Sequence, residues 1–134
     1  MRAMVVYASS SGNTKAVAEY IAGKTDGRAV SVADAKALTD ADFEGYDTVI
    51  IGSRIHAGGL SKDAVEFADS HRDIISARKN AFYICCMFGG DKGQKQTDSA
   101  SERLGIKKGT FFVKGKKLAE TGTEIDSFLN GIGE

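Results

Sequence analysis

The sequence predicts a three-layer α/β domain, with helices on both faces of a parallel five-stranded sheet. Three observations carry this prediction: apolar runs recur along the chain, helical patterns separate them, and the runs are rich in β-branched and aromatic residues. Continuous apolar runs are typical of strands buried on both faces. Alternation with helices implies right-handed crossovers, and five strands with this spacing favour the order 2-1-3-4-5.

Five segments are predicted as strands, four of them strongly and the second more weakly. Each has the short apolar run expected of a strand that is buried on both faces. In chain order the predicted strands are Ala3–Ala8, Ala29–Ala33, Thr48–Gly52, Ala81–Met87 and Thr110–Val113.

Helices are predicted between and after these strands from apolar residues at three- and four-residue spacing. The predicted helices are Thr14–Lys24, Thr39–Phe43, Ser61–Arg78, Gln94–Leu104 and a last one that starts at Thr123. Thr39 with Asp42, and Thr123 with Asp126, have the spacing of a capping box at a helix start. Gly105 has the position expected of a C-terminal stop.

Length and composition predict one domain, residues 1–134, in the cytoplasm. The chain has 134 residues, with 18 basic and 18 acidic side chains, so it has no general attraction to nucleic acid or anionic membrane. No apolar run approaches the roughly 18 residues that span a bilayer, and the N-terminus lacks a secretory pattern. Adjacent Cys85 and Cys86 are read as reduced core thiols, and no Cys and His spacing resembles a metal site.

Ligands of such sheets bind beyond the carboxyl ends of the strands, where the strand order switches between the first and third strands. The segment after the first strand, residues 9–14, combines hydroxyls, a glycine and a small amide, and a helix follows at once. Free N–H groups and the helix dipole favour an anion there. Because no lysine or arginine is present, the segment suits a phosphate held by neutral donors. The alternative is a Ser-rich turn in which Asn13 or Thr14 caps the helix.

The motif Ser9-x-Ser11-Gly12-x-Thr14 resembles the phosphate loop of flavodoxins, and the resemblance extends over the alternation of the whole chain. It lacks the endings of a Walker A loop and of a dinucleotide fingerprint. The resemblance implies a flavodoxin-like fold and non-covalent FMN. It also implies that the FMN phosphate is held by Ser9, Ser10, Ser11, Gly12, Asn13 and Thr14.

The segment after the third strand corresponds to the flavodoxin loop that holds one face of the isoalloxazine ring. We expect cofactor contacts from Ser53, Arg54, Ile55, His56, Ala57 and Gly58. Arg54 would place positive charge near the reduced flavin and raise its reduction potential. His56 could stack on the ring or exchange a proton with it. These two are the candidate catalytic residues, and the alternative is that both are solvated surface side chains.

The segment after the fourth strand is the third expected contact with the ring. Its glycines let backbone N–H groups approach the flavin, and its apolar side chains can pack on the ring. It has no tyrosine, which leaves the outer ring face more open to a substrate or partner. The cofactor contacts expected here are Met87, Phe88, Gly89 and Gly90.

Three functions remain open, of which electron transfer through bound FMN is favoured. Residues 47–58 also resemble the flavodoxin-like protoporphyrinogen oxidases that use menaquinone, although the long basic and aromatic insertion of that subgroup is absent. An FMN-dependent oxidoreductase of the protoporphyrinogen oxidase or quinone reductase type is therefore the first alternative. The second is a non-enzymatic flavodoxin-fold binding module. A receiver domain is disfavoured because Ala8-Ser9 and Gly52-Ser53 replace its acidic residues.

Charge is distributed unevenly along the chain. Residues 92–117 carry eight basic and two acidic side chains. This segment could dock an acidic redox partner protein or steer an anionic small organic substrate, or it could be a solvated surface. The short C-terminal helix leaves part of the sheet uncovered, which makes a homodimer a further prediction.

Overall fold

A computed structural model of the chain describes residues 1–8, 12–56, 59–113 and 118–133. Within them, the five predicted strands alternate with helical segments, two of which consist of two helices each. The strands are β1 (Ala3–Ala8), β2 (Arg28–Ser31), β3 (Thr48–His56), β4 (Gly59–Leu60), β5 (Lys79–Cys86) and β6 (Gly109–Val113). The helices are α1 (Gly12–Thr25), α2 (Val32–Ala35), α3 (Asp40–Phe43), α4 (Lys62–Ser70), α5 (Arg72–Ser76), α6 (Gly90–Leu104) and α7 (Leu118–Gly133).

Five strands form a parallel sheet in the order β2-β1-β3-β5-β6. Counted among the five predicted strands, this is the predicted order 2-1-3-4-5, so the fold class is confirmed. The short strand β4 was not predicted, and it pairs antiparallel with the end of β3. The order places β1 and β3 side by side, and the chain leaves β1 toward one edge of the sheet and β3 toward the other. This arrangement creates the switch point where ligands bind in such sheets.

Each face of the sheet has its own hydrophobic core, as the continuous apolar strands require. On one face, α1 and α7 pack over side chains such as Val5, Ile50 and Phe112. On the other, α2 to α6 pack over Met4, Ile51 and neighbouring side chains. Successive residues of β1 and β3 thus enter opposite cores, and the residues of β3 from Thr48 to Ser53 are all buried.

The predicted helix over residues 61–78 is two helices, α4 and α5. They are separated at His71, whose φ of −117° and ψ of 29° are not helical. The His71 ring stacks on Phe67 with a centroid distance of 4.2 Å, and its Nδ1 lies 3.1 Å from the Phe67 carbonyl oxygen. The apolar stripe runs across this break because both helices face the same core, so periodicity alone did not show it.

Several predicted helix boundaries also change. The second strand ends at Ser31, whose hydroxyl accepts a hydrogen bond from the Asp34 N–H and starts α2. The last helix begins at Leu118, so Thr123 lies inside it and the predicted capping box there is wrong. The capping box at Thr39 is confirmed, and so is Gly105 as the left-handed cap of α6, with φ of 69°.

Candidate functional site

The carboxyl ends of β1, β3 and β5 lie together at one edge of the sheet. Ala8 of β1 pairs with Ser53 of β3, and Arg54 pairs with Cys85 of β5. The start of α1, the end of β3 and the segment after β5 therefore share this edge, which we call the carboxyl edge. All three segments singled out in the sequence converge there.

The first of these segments leads into α1. Gly12 is the first residue of this helix, Asn13 is half-buried, and the Thr14 side chain is buried. No acidic residue lies in the first turn. The first N–H groups of an α-helix have no partner within the helix, and together with the positive end of the helix dipole they favour an anion at the start of α1. Ser9, Ser10 and Ser11 lie outside the described residues.

Tyr83 of β5 braces the start of α1 from within the core. Its side chain is fully buried, and its hydroxyl donates a 2.6 Å hydrogen bond to the carbonyl oxygen of Thr14. Burial raises the pKa of the Tyr83 phenol well above 10.0, so the hydroxyl stays protonated and able to donate. This bond links β5, the fourth strand in the order of the sheet, directly to the first turn of α1.

The Tyr83 ring reaches α1 because Gly52 of β3 has no side chain. A Cβ atom at Gly52 would lie 2.2 Å from Cζ and 2.3 Å from the hydroxyl oxygen of Tyr83. Such distances are far inside van der Waals contact, and the Tyr83 side chain is fully buried. The glycine within this strand is therefore explained by close side-chain approach rather than by a turn.

The second segment is a β-hairpin, not the loop predicted from the sequence. The third strand continues to His56 instead of ending at Gly52, and Ile55 pairs with Leu60 of β4. The buried Ser53 hydroxyl donates to the Arg54 carbonyl oxygen and accepts a bond from the Ser61 N–H, which ties α4 to the strand. These polar bonds let the chain stay extended where periodicity had indicated a strand end.

Predicted cofactor residues on this hairpin differ in how they are placed. The Arg54 side chain is exposed, and Ile55 is half-buried. His56 is the last residue of β3, and its side chain lies outside the described part of the chain. Ala57 and Gly58, which lie between β3 and β4 in the sequence, are outside it entirely.

The third segment presents apolar side chains at the carboxyl edge. Met87 is 68% exposed and Phe88 is 47% exposed, although both directly follow the buried part of β5, residues 81–86. The Lys92 ammonium lies 4.0 Å from the centroid of the Phe88 ring, which is a cation–π contact. Large exposed apolar side chains beside a strand end are typical of a surface that meets a ligand or partner.

The glycines of this segment start α6 earlier than predicted. Gly89 is the N-cap and Gly90, with φ of 58°, is the first helical residue, so the predicted loop is shortened to residues 87–89. Cys86 just before it is a buried free thiol that lies 3.1 Å from the Phe88 carbonyl oxygen. Burial raises the pKa of Cys86 above 9.0, which disfavours a reactive thiolate.

Sequence reasoning missed Tyr83, Gly52 and Lys92 as contributors to this edge. Tyr83 was read as one more apolar strand residue, because the target of its hydroxyl lies on a helix far away in sequence. A glycine in the middle of a β-branched run was the available signal for Gly52. The four-residue spacing of Phe88 and Lys92 was the signal for their contact, but it depends on α6 beginning at Gly90.

The sequence matches the flavodoxin domain family over residues 4–121, most of the chain. The chain belongs to this family. Flavodoxin domains bind FMN, so the membership confirms the cofactor predicted from the phosphate motif as well as the fold and the class of function, electron transfer through the flavin.

The relatives that the chain matches in sequence are enzymes with longer chains. The chain is 28% identical over 108 residues to protoporphyrinogen IX dehydrogenase [quinone] of Escherichia coli strain K12. The match covers 78% of this chain and 60% of the relative, so the chain spans less than two thirds of that enzyme's length.

Solved structures with this fold are similar over nearly the whole chain. Oxidised flavodoxin 1 from Bacillus cereus superposes with a TM-score of 0.69 at 20% identity, covering 100% of this chain and 99% of that one. A flavodoxin from Streptococcus pneumoniae TIGR4 gives a TM-score of 0.71 at 17% identity, covering 99% and 98%. At these identities the likeness establishes the fold alone.

The described residues of the carboxyl edge fit FMN. The first turn of α1 offers backbone donors without an acidic side chain, as a phosphate requires. Exposed Met87 and Phe88 offer apolar contact to a flat ring, and exposed Arg54 offers positive charge. Among the described residues there is no cluster of acidic, His and Cys side chains that could hold a metal ion, and no helix is long and apolar enough to cross a membrane.

Proposed function

We propose that this chain binds FMN non-covalently at the carboxyl edge and exchanges electrons there with a redox partner protein. One observation carries the proposal. The start of α1, which has no acidic side chain in its first turn, lies at the carboxyl edge together with the exposed side chains of Met87 and Phe88. One element suits a phosphate and the other suits an apolar ring, at the switch point of the sheet. We further propose that residues 1–134 act as one domain in the cytoplasm.

The phosphate of FMN is assigned to the segment that leads into α1. Ser9, Ser10 and Ser11 supply hydroxyls by their position in the sequence, and Gly12, Asn13 and Thr14 supply the backbone of the first turn. The Tyr83 bond to the Thr14 carbonyl holds this turn in place before the ligand arrives. A preorganised turn binds more tightly because less ordering accompanies binding.

The isoalloxazine ring is assigned to the hairpin and to the segment after β5. Ser53, Arg54, Ile55, His56, Ala57 and Gly58 would line one side, and Met87, Phe88, Gly89 and Gly90 the other. When bound, FMN supplies reversible acceptance of electrons, and the protein supplies orientation and electrostatics. Arg54 stabilises negative charge on the reduced ring, and His56 remains the candidate for proton exchange.

The phosphate assignment is tested by adding a negative charge beside it. Ser11→Asp should weaken FMN binding about 30-fold or more, because carboxylate and phosphate repel each other at close range. Binding of riboflavin, which has no phosphate, should change little. Ser99→Asp on the exposed side of α6 is the matched control and should leave both affinities unchanged.

Comparing FMN with riboflavin distinguishes loss of a phosphate contact from a general loss of binding. Equal losses for FMN and riboflavin in Ser11→Asp would mean that the segment does not hold the phosphate. Failure of the unmodified chain to bind either ligand would overturn the proposed function as a whole.

A second candidate function is an FMN-dependent oxidoreductase of the protoporphyrinogen oxidase or quinone reductase type. The resemblance to the Escherichia coli dehydrogenase favours it, and so do the exposed Met87 and Phe88, which would suit a flat apolar substrate. Stepwise anaerobic reduction distinguishes the two functions. Two separate one-electron steps support a carrier, whereas one two-electron step followed by rapid oxidation with a water-soluble quinone supports the enzyme. No flavin binding at all would leave a non-enzymatic binding module.

A further inference from the structure

A groove runs along the free side of β6. Within the described residues β6 pairs with β5 alone, so it forms one end of the sheet. The groove between this strand and α7 has a volume of about 930 Å³ and is lined by side chains that include Phe111, Phe128 and Ile132. At one end it meets Lys107 and at the other it reaches Gly90.

The backbone of β6 offers hydrogen-bonding groups to this groove. Lys108 accepts a bond from the Phe82 N–H, which fixes the register of the ladder with β5. In a parallel ladder, alternate residues turn both backbone groups toward the neighbouring strand. Thr110 and Phe112 therefore face β5, and Gly109, Phe111 and Val113 direct their N–H and C=O groups toward the groove.

Charge around β6 is strongly of one sign in the sequence. Residues 107–117 contain five lysines and no acidic residue: Lys107, Lys108, Lys114, Lys116 and Lys117. Lys107 and Lys108 line the groove, and Lys108 Nζ also donates to the carbonyl oxygens of Gly131 and Ile132 at the end of α7. Glu124 of α7 is the acidic side chain of the lining. The excess of lysine favours an acidic occupant.

We propose that β6 and its groove are a docking site for an extended acidic segment of a protein partner, which adds to the sheet as a further strand. Backbone bonds to residues 109, 111 and 113 supply affinity, apolar side chains enter beside Phe111 and Phe128, and carboxylates meet Lys107 and Lys108. The five residues of β6 span about 16 Å, which suits a short strand.

Two other occupants fit the observations less well. A second copy related by a two-fold axis would pair β6 antiparallel with itself, which brings two copies of the same lysine-rich stretch of sequence together, and like charges repel. A nucleic acid would use the lysines but not the apolar lining or the strand-like spacing of the backbone groups. An acidic protein segment uses all three features.

The groove also relates to the cofactor site, and this part of the inference rests on the proposed function. Gly89 and Gly90 line the end of the groove that lies away from Lys107, and the same glycines belong to the segment that we propose binds the ring. A partner segment bound along β6 would therefore end beside the flavin. This position would bring the redox centre of the partner close enough for electron exchange.

The probe for a test is a short synthetic peptide in which glutamate alternates with valine, compared with a peptide that has lysine in place of glutamate. We expect the glutamate peptide to bind, and Lys107→Glu to weaken it about fivefold at low salt. Lys36→Glu, the same change on an exposed residue at the opposite side of the sheet, is the control and should leave binding unchanged. Equal binding of both peptides, or equal losses in both variants, would overturn the proposal.

Hydrogen exchange gives the second readout, because it reports strand addition residue by residue. The glutamate peptide should slow exchange of the Phe111 and Val113 amides, while those of Thr110 and Phe112 change little because they already bond to β5. Val113→Pro removes one outward N–H and should weaken the peptide without altering the FMN affinity. Binding without protection at Phe111 and Val113 contradicts strand addition.

Further measurements test the two other occupants, a nucleic acid and a second copy of the chain, and test the proposed function independently. A single-stranded oligonucleotide that protects the same amides, or concentration-dependent self-association that protects them without peptide, would overturn the acidic segment as occupant. FMN titration is measured separately on each variant. Peptide binding without FMN binding would support the docking site while contradicting the proposed function.

Discussion

The central strands at the carboxyl edge and the end strand β6 differ in how closely their side chains are packed. At the centre, Tyr83 is fully buried, bonds to Thr14 at 2.6 Å and leaves no room for a side chain at Gly52. At β6, Thr110, Phe111 and Val113 are half-buried and border a groove of about 930 Å³. The same sheet is therefore tightly packed beneath the proposed phosphate site and open where we propose that a partner docks.

This contrast follows from strand position. An interior strand such as β3 has a neighbouring strand on both sides and helices on both faces, so its side chains are closely packed. An end strand has one ladder and keeps its outer backbone groups available. The central strands are thus suited to hold a preorganised site for a small cofactor, and the end strand β6 is suited to bind and release a protein partner.

The largest expected effect comes from Gly52→Ala. Its Cβ would overlap the Tyr83 ring, which has no room to move, so we expect a loss of about 3 kcal/mol in the free energy of unfolding. Urea denaturation followed by circular dichroism measures it. Gly23→Ala in α1, where nothing lies within 4 Å of the added Cβ, is the control and should be neutral or stabilising. Similar stability of the two variants would mean that the centre is not tightly packed.

Tyr83→Phe keeps the ring and removes the bond to the Thr14 carbonyl. We expect a loss of about 1 kcal/mol in stability, and FMN affinity lowered about fivefold because the first turn of α1 is less well held. Isothermal titration with FMN, beside urea unfolding, measures both. A stability loss without any change in FMN affinity would limit Tyr83 to a structural role.

Tyr83 also makes stability depend on alkaline pH. Burial raises its pKa well above 10.0, so above pH 10 the unfolded chain releases a proton that the folded chain retains. The free energy of unfolding should therefore fall as pH rises beyond that value. Urea unfolding between pH 8 and pH 11 should show a shallower fall for Tyr83→Phe. Parallel curves for the two proteins would contradict the buried, protonated phenol.

The smallest expected effect concerns the charge of Arg54 at the carboxyl edge. Arg54→Gln should lower the midpoint potential of bound FMN by about 30 mV, because a cation that stabilises the reduced ring is lost. Lys107→Gln, at the far end of the β6 groove, should leave the potential unchanged. Spectroelectrochemical titration compares the variants, and equal shifts would show a general charge effect rather than a local one.

The parts of this fold that depend on local pattern could be predicted from the sequence. Continuous apolar runs gave the five parallel strands and their order, and the capping pair at Thr39 gave the start of α3. The serine-rich segment before α1 pointed to a phosphate because hydroxyls and a helix start converge there, and its resemblance to the flavodoxin phosphate loop implied FMN. Each of these signals lies within a few residues of the feature that it predicts.

The parts that depend on contacts distant in sequence could not be predicted. The extension of β3 to His56 rests on pairing with Leu60 and on the Ser53 bond to Ser61, neither of which leaves a periodic signal. The role of Tyr83 depends on a partner 69 residues away. The break at His71 was hidden because both helices face one core.

The central claim is that FMN binds at the carboxyl edge and not along β6, and backbone amide NMR during FMN titration tests it most directly. We predict shifts of the Gly12, Asn13 and Thr14 amides and of Gly89 and Gly90, with little change at Phe111. Shifts concentrated along β6, or no shifts on addition of excess FMN, would contradict the account.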